Sequence, residues 1–240
     1  MRLNKYLARS GVGSRRETDK LIQAATVTVN GSVMTNPAYQ VRPGDIVAYD
    51  GRVVTPDENR VVLLLHKPAG YITTMRDPQG RKTVLDLLPG SQRLFPIGRL
   101  DKDTTGLLLV TNDGDLANKL MHPRNQIPRI YQAEIEGRLS DATVQKIKRG
   151  IFIGENTFGR AEVIRQKTVK KRSQVTLCLH HGKKREIRRI FEFLHIKLYS
   201  LIRIQFGPIM LGDLPPGRYR ELTKEEVANL LRVGKTTRTR

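Results

Sequence analysis

The stretch GRLDKDTTGLLLV, residues 98–110, sets two aspartates directly before an apolar run. Residues 107–110 predict a buried strand, because consecutive apolar residues on a strand need a core against both faces. Asp101 and Asp103 stand among cations on the approach to that strand. The approach is therefore either an ordinary polar turn or a carboxylate held at the edge of the core for chemistry.

The charge of the chain indicates a polyanionic partner. The 240 residues carry a formal net charge of +20 at pH 7. Lysine and arginine release condensed counterions when they neutralise phosphates, so this balance favours nucleic acid over the alternative of a basic protein with merely solvated faces. Residues 1–60 hold nine basic and six acidic side chains, hence +3, whereas residues 61–240 hold 34 and 17, hence +17. The larger part of the chain carries most of the attraction.

Cysteine content and hydropathy indicate a cytoplasmic protein without a membrane partner. Cys178 is the single cysteine, which excludes an intramolecular disulfide and fits a reducing compartment. Alternation in VTLCLHH places Cys178 and His180 on one face of a strand, and a packed thiol is a better interpretation than a metal site with so few ligands. We see no apolar segment typical of a signal peptide in the first residues, and no window approaches the length of a membrane span.

Residues 1–54 predict a small front domain of two helices, a hairpin and a strand. LNKYLARSGV has apolar residues at helical spacing, and Ser14 with Glu17 predicts a capping box that opens a second helix. Asn30 and Gly31 in VTVNGSVM form the dipeptide most typical of a tight hairpin. The order of elements is therefore helix, helix, hairpin, strand.

The second helix begins with cations. Arg15 and Arg16 open it, and Lys20 follows about one turn later. Cations near a helix N-terminus oppose the helix dipole, so helix stability does not account for them. A solvated charged face is one interpretation, but the conflict with the dipole favours a face that grips phosphate.

The rest of the chain predicts a linker, a larger second domain and a short tail. Residues 55–60, TPDENR, are polar, contain proline and predict the linker. From residue 61 on, strand signals such as VVLLLH, TGLLLVT and YQAEIEG are interspersed with helix signals without strict β-α-β alternation. This pattern favours an α+β fold with a mixed, mostly antiparallel sheet over residues 61–231. Residues 232–240 are predicted to form a basic tail.

One helix signal, KREIRRIFEFLH at residues 184–195, joins a core-facing stripe to a cluster of cations. Its apolar residues recur at i, i+3, i+4 and i+7 from Ile187. Arg188 is adjacent to this stripe and can point partly inward, where an arginine needs a carboxylate partner. Asp101 is the natural candidate for that partner.

A carboxylate in a nucleic-acid groove has three possible roles. It can be a member of a structural ion pair, a metal ligand, or a nucleophile or general base. Metal-dependent phosphodiester chemistry gathers several carboxylates around one or two cations, and beyond Asp101 and Asp103 no further acidic cluster stands out. A metal nuclease is therefore disfavoured, while the plain turn stays open on these residues alone.

The motifs together resemble those of a known family over nearly the whole chain. GRLDKDTTGLLLVTNDG resembles the signature of the pseudouridine synthases that modify ribosomal RNA, of the RsuA/RluB type. LNKYLARSGVGSRRETDKLIQAATVTVNG is similar to an S4 RNA-binding domain. The family's other motifs are matched by HKPAGYITTMRDPQGRKTV, RIYQAEIEG, GKKREIRRIFE, LIRIQFG and PPGRYRELT. DPQGRKTVLDLLP, LMHP and REIRRIFE resemble the large-subunit, RluB-like branch, so 23S rRNA is the expected substrate.

The resemblance implies an enzyme that isomerises uridine to pseudouridine in rRNA, with no metal or organic cofactor. It implies that Asp101 is the catalytic aspartate and that Arg188 pairs with it. Tyr131 matches the tyrosine that stacks on the flipped-out target base, and Leu201 and Lys67 match residues of the substrate pocket. Attack of Asp101 on C1′, attack on the base, and assistance to glycal formation by taking a proton all stay open.

The remaining expectations concern RNA contacts and partners. The cations expected to contact RNA are Arg15, Arg16, Lys20, Arg99, Lys183, Lys184, Arg185 and Arg189. His66 departs from the asparagine or tyrosine expected before Lys67 and Pro68, and we assign it no role. The expected partner is 23S rRNA or an assembling ribosomal subunit, and the expected state is a monomer.

Two other classes of function compete with the enzyme. A non-catalytic RNA-binding or ribosome-assembly protein would use the S4-like module alone, and a metal-dependent nuclease would cleave RNA in a reaction that EDTA suppresses. The first alternative differs from the synthase at Asp101, because only the enzyme needs that carboxylate for chemistry.

Overall fold

The computed structural model describes residues 1–90 and 93–233, which form two compact units. Residues 1–60 with Arg93 make up the first unit, and the other described residues from Val61 on make up the second. Residues 55–60, the predicted linker, belong to the first unit. Within the described ranges, no helix is both long enough and apolar enough to cross a membrane.

The first unit has the predicted order of helix, helix, hairpin and strand. Its helices are α1 (Leu3–Arg9) and α2 (Arg15–Gln23), and its strands are β1 (Val27–Val29), β2 (Ser32–Val33), β3 (Val47–Tyr49) and β4 (Arg52–Val53). The strands form one antiparallel sheet in the order β2-β1-β3-β4. The predicted capping box of α2 is confirmed, since Glu17 N donates to Ser14 Oγ at 3.2 Å and Ser14 N donates to Glu17 Oε2 at 2.6 Å.

The second unit contains four α-helices, two short 3₁₀ helices (Val84–Leu87 and Pro123–Asn125) and eleven strands. The helices are α3 (Gly114–Met121), α4 (Asp141–Arg149), α5 (Glu186–Phe193) and α6 (Lys224–Val233). The strands are β5 (Val62–Lys67), β6 (Phe95–Pro96), β7 (Thr105–Thr111), β8 (Arg129–Glu136), β9 (Ile151–Phe152), β10 (Phe158–Gly159), β11 (Glu162–Val169), β12 (Arg172–Leu179), β13 (Leu198–Phe206), β14 (Ile209–Met210) and β15 (Tyr219–Glu221).

Most of these strands form one nine-stranded sheet. Its main path runs β11-β12-β8-β13-β7-β5-β15, with β14 paired to β13 and β6 paired to β7, while β9 and β10 pair separately. Every strand pair is antiparallel except β13 with β7. The predicted α+β class with a mostly antiparallel sheet is therefore confirmed.

The apolar run of the GRLD stretch is buried on both faces, as its composition predicts. Leu107 and Leu109 pack in a cluster with α3, α6 and Phe206. Leu108 and Val110 point to the other face, where they pack with Leu100 and neighbouring leucines. A third cluster lies on the β8, β12 and β13 half of the sheet and is covered by α4 and α5.

Two element boundaries differ from the sequence-based expectation. The helix predicted from residue 184 begins at Glu186, because Arg185 has a left-handed φ of 54° that the helix cannot include. The last helix extends through Arg232 to Val233, so the first two residues of the predicted tail are helical. The rest of that tail, residues 234–240, lies outside the described residues.

Strands β7 and β13 approach closely at Gly106. This residue has a φ of +100°, and a Cβ at its position would lie 2.3 Å from Arg203 O and 2.7 Å from Arg203 N. Both neighbours are main-chain atoms within a strand, so neither can turn aside as a flexible side chain would. The parallel pair therefore requires glycine at this position.

Replacing Gly106 with Ala is expected to lower the free energy of unfolding by about 3 kcal/mol or more, from overpacking together with left-handed backbone strain. Urea unfolding of the purified variant measures the loss. Gly90→Ala is the matched control, because a Cβ there meets no atom within 4 Å, and it should stay within about 0.5 kcal/mol of the parent. Equal stabilities of the two variants would contradict the close approach.

Candidate active site

Asp101 lies on a turn that directly precedes β7. Thr104 N donates to Asp101 O at 3.1 Å and closes the turn. On its other side, Thr73 Oγ1 donates to Leu100 O at 2.8 Å and accepts from Leu100 N at 3.3 Å. The Asp101 side chain stays 32% exposed, so the carboxylate is held at the edge of the core and is still open to a ligand.

Lys67 lies beneath this turn, at the end of β5. Its side chain is fully buried, and Nζ donates to Pro68 O at 3.0 Å, to Lys102 O at 3.1 Å and to Thr104 O at 2.8 Å. Gly70 N also donates to Lys102 O, at 2.9 Å. The prediction of Lys67 as a pocket residue is corrected accordingly, because a side chain with no exposed surface cannot line a pocket and instead supports the main chain of the turn.

The charge of Lys67 is influenced by its surroundings. Burial lowers the pKa of its ammonium group to about 8, although the neighbouring carboxylates Asp103 and Asp101 act in the opposite direction. Three carbonyl acceptors match the three donors of the protonated amine. A neutral amine has one donor fewer, so the full set of bonds belongs to the charged form.

Arg188 reaches the same turn from α5. Its Nη2 donates to Asp103 O at 2.9 Å and to Thr104 Oγ1 at 3.1 Å. Its Nε lies 3.7 Å from Asp101 Oδ2, an ion pair longer than a hydrogen bond, with the arginine side chain 16% exposed. Burial lowers the pKa of this guanidinium, and the Asp101 charge works against that effect. The structure thus brings together the predicted pair of Asp101 and Arg188.

Tyr131 and Leu201 lie on the two strands that follow β7 along the sheet. Tyr131 is on β8 and packs at the border of the two clusters that contain Leu100 and α5, while Leu201 on β13 is 4% exposed. Thr105 Oγ1 donates to Leu201 O at 3.5 Å, which joins β13 to the first residue of β7. Both residues therefore lie within two strands of β7, the strand that the Asp101 turn directly precedes.

The cations predicted to bind RNA differ in how available they are. Arg15, Arg16, Lys20, Arg99, Lys184 and Arg185 are exposed. Lys183 is exposed too, but its Nζ donates to Phe158 O. Arg189 is only 19% exposed and lies 3.4 Å from Glu155 Oε2, so its charge is already partnered within the unit.

Sequence reasoning did not find Thr73 and Thr104, which hold the turn through their hydroxyl groups. Thr73 is 27 residues away from Leu100 in the chain, and no local sequence pattern predicts a contact over that separation. His66, which was given no role, is buried with Nδ1 2.6 Å from Leu214 O. Arg203 was also missed, and its buried Nε donates to Leu107 O at 2.7 Å, beside Gly106.

The structure also bears on metal and thiol chemistry. Within the described ranges, no three His, Cys, Asp or Glu side chains are grouped so as to hold a metal ion. Cys178 is buried, with Sγ 3.7 Å from His180 Nε2, and burial raises the pKa of its thiol. A packed thiol, the preferred interpretation from the sequence, agrees with this position.

Comparison with known proteins identifies the family to which this fold and turn belong. Residues 61–193 match the RNA pseudouridylate synthase family, and residues 1–47 match the S4 domain family. The chain therefore belongs to the RNA pseudouridylate synthase family and carries an S4 domain at its front. The resemblance drawn from the GRLD stretch is confirmed.

Individual relatives support the same family. An uncharacterised RNA pseudouridine synthase of Aquifex aeolicus is 41% identical over 97% of this chain and 94% of its own length. The ribosomal large subunit pseudouridine synthase B of Bacillus subtilis is 40% identical over 95% of each chain. A crystal structure of a pseudouridylate synthase superposes with a TM-score of 0.68 at 25% identity, covering 96% of this chain and 99% of its own.

Lys67 should make the stability of the protein depend on pH. Its pKa of about 8 is below that of lysine in an unfolded chain, so the unfolded chain holds more protons between about pH 8 and 10.5. The contribution of Lys67 to the free energy of unfolding therefore rises with pH across that window, by at most about 1.4 kcal/mol per pH unit.

Urea unfolding of the wild-type protein and Lys67→Met at pH 7.5 and 9.5 tests this expectation. Lys67→Met leaves Pro68 O and Thr104 O without the lysine donor, whereas Lys102 O keeps its bond from Gly70 N. The variant should be destabilised by about 2 kcal/mol, from about 1 kcal/mol or more for each orphaned acceptor. The gap between the two proteins should widen at pH 9.5. A gap independent of pH would show that the pKa of Lys67 is not lowered.

Proposed function

We propose that this enzyme isomerises one specific uridine of 23S rRNA to pseudouridine, with Asp101 as the catalytic residue acting on a flipped-out base. The large-subunit assignment is supported by the Bacillus subtilis relative, which is named for that subunit and is 40% identical over 95% of each chain. The sequence features of the large-subunit branch, among them DPQGRKTVLDLLP and LMHP, support the same assignment.

The observation that carries the catalytic proposal is the support of Asp101 from several sides. Lys67, Thr73 and Arg188 each bind the 100–104 turn, while the Asp101 carboxylate itself stays one-third exposed. A group that must act on a bound substrate needs this combination of fixed position and access. Arg188 places a positive charge beside the carboxylate, with Nε 3.7 Å from Asp101 Oδ2.

The reaction needs no atom from outside the substrate and water. The N1–C1′ glycosidic bond of uridine breaks, the base turns, and C5 is joined to C1′. The proton on C5 is lost and N1 gains one, so the product is an isomer. Asp101 can serve by attack on C1′, by attack on the base, or by taking a proton during glycal formation, and all three need an ionised carboxylate within reach of the nucleoside.

Base flipping explains the role that we assign to Tyr131. A uridine inside a stacked RNA cannot be reached at C1′ and C5 until it leaves the stack. The tyrosine ring offers a face for the extruded uracil, and such stacking contributes about 1–3 kcal/mol per base. Leu201 is proposed to form the apolar wall beside it, and Lys67 is proposed as a positioning residue that acts through the turn.

The proposal also covers the domain organisation and the working form of the protein. We assign RNA binding to an S4-like domain at residues 1–54, with a linker at 55–60, and catalysis to a domain that begins at residue 61 and includes α6 up to Val233. The expected working form is a cytoplasmic monomer that acts on rRNA or on an assembling ribosomal subunit. Sedimentation of the protein at micromolar concentration checks the monomer.

Asp101→Asn is expected to reduce pseudouridine formation by at least about 10⁴-fold while leaving RNA affinity within about threefold, because the amide cannot act as nucleophile or base. Tritium release from 23S rRNA transcribed with [5-³H]uridine measures the reaction, and filter retention measures binding. Asp103→Asn is the matched control, since its side chain is exposed and only its main-chain oxygen accepts from Arg188. Equal activity of the two variants would refute the assignment.

Comparison of rRNA from cells with and without this gene should locate the modified nucleotide. Carbodiimide adducts on pseudouridine stop primer extension, so one stop in the large-subunit rRNA should vanish when the gene is deleted. Loss of a stop in the small-subunit rRNA instead would redirect the proposal to that subunit. Unchanged stops in both, with no tritium release in vitro, would leave a non-catalytic RNA-binding protein as the better account.

A further inference from the structure

We propose that the β11–β12 hairpin is a second RNA contact of the catalytic unit, binding the phosphate backbone of a segment that flanks the target nucleotide. The inference rests on the proposed function in that it takes RNA as the substrate. It adds a surface that neither the S4 domain nor the cations around α5 account for. The contact is with phosphate and is therefore independent of base sequence.

The hairpin lies in the longest part of the catalytic unit without a negative charge. Between Val163 and Arg185 the chain has no acidic residue and eight basic ones. Four of these cations lie on β11 or at the hairpin tip, are exposed, and form no ion pair with any described residue: Arg165, Lys167, Lys170 and Lys171. Like charges this close repel one another, so a polyanion is the partner that relieves them.

Arg172, the fifth cation of the hairpin, has a structural role. Its Nη1 lies 2.8 Å from Glu134 Oε1, and its guanidinium stacks 4.1 Å from the centre of the Tyr199 ring. These contacts tie the hairpin to β8 and β13. Arg172 is therefore part of the support of the hairpin, and its neutralised charge adds little to the attraction for phosphate.

Other bonds fix the middle and the tip of the hairpin. Gln166 and Leu139 exchange two hydrogen bonds, with Leu139 N to Oε1 at 2.9 Å and Nε2 to Leu139 O at 3.1 Å. Gly137 N donates to Lys171 O at 2.8 Å, directly at the tip. The tip cations are thus presented on a well-anchored strand pair, which lowers the entropy lost when they bind.

The tip itself places charge where the backbone would favour glycine. Val169 and Arg172 pair across it, and Lys170 in the connecting turn has a left-handed φ of 53°. For a residue with a Cβ this conformation costs about 1 kcal/mol, and glycine or asparagine is the usual occupant. Stability therefore does not explain a lysine here, whereas contact with an anion does.

The Asp101 turn precedes β7 on the side of the strands that leads towards the hairpin tip, and the tip extends further in that direction. Arg172, at the tip, pairs with Glu136 near the end of β8, and β8 pairs there with the start of β13. The start of β7 lies beside β13 at Ile202, and the Asp101 turn precedes it. Four strand spacings, about 19 Å, separate β7 from β11 across the sheet, and the tip lies four residues, about 13 Å, further along the strands than Thr105. An RNA bound at Asp101 spans this separation with several nucleotides.

The test compares two variants that each lose two exposed cations, Lys170→Gln with Lys171→Gln, and Lys224→Gln with Arg232→Gln on α6 as control. Filter retention of an unmodified 23S rRNA transcript over a salt series gives Kd, and tritium release gives kcat and KM. The hairpin variant should raise Kd and KM about tenfold and flatten the slope of log Kd against log salt by about 1.4. Its kcat should be unchanged, and the control should match the wild type.

Equal Kd and equal salt slope in the hairpin and control variants would overturn the inference. So would a hairpin variant that aggregates with unchanged RNA affinity, since the lysines would then only protect the edge strand β11 from pairing with other chains. If the double variant does not fold, Lys170→Gly, which suits the φ of that position, should still weaken binding severalfold. The wild type could also fail to modify the transcript while the hairpin variant binds that transcript more weakly than the wild type does. That result would retain the inference and refute the proposed activity.

Discussion

The buried ammonium group of Lys67 is the constraint on which the site depends. Its three donors meet carbonyls of Pro68, Lys102 and Thr104, so one side chain at the end of β5 sets the path of the turn that carries Asp101. A charge can be buried only where such partners replace water. The turn is therefore a fixed part of the edge of the core and not a flexible connection into β7. Arg188 contacts this turn from α5.

Much of the architecture was accessible from local patterns. The capping box at Ser14 depends on residues three apart in the chain, and it is formed. The apolar run at residues 107–110 is buried on both faces, as four adjacent apolar residues require. The pairing of Asp101 with Arg188 was also expected, because a half-buried arginine beside a core stripe needs a carboxylate and the chain offers few.

The features that were missed depend on contacts across long stretches of chain or on backbone conformation. Lys67 was expected in a pocket, because nothing near it in the sequence shows that its partners are carbonyls 35 and 37 residues away. Thr73 is similar, since a hydroxyl that holds a distant loop looks like any surface threonine. The start of α5 was misplaced because Arg185 adopts a left-handed conformation that helical periodicity cannot reveal.

The pair of β7 with β13 has a mechanical consequence. Among the described residues, the two strands pair at Thr105 with Ile202 and at Gly106 with Arg203, and the bond from Arg203 Nε to Leu107 O adds to this short ladder. Arg188 adds bonds from α5 to Asp103 O and Thr104 Oγ1, so the turn before β7 is also fastened to the helix that covers the β8, β12 and β13 part of the sheet.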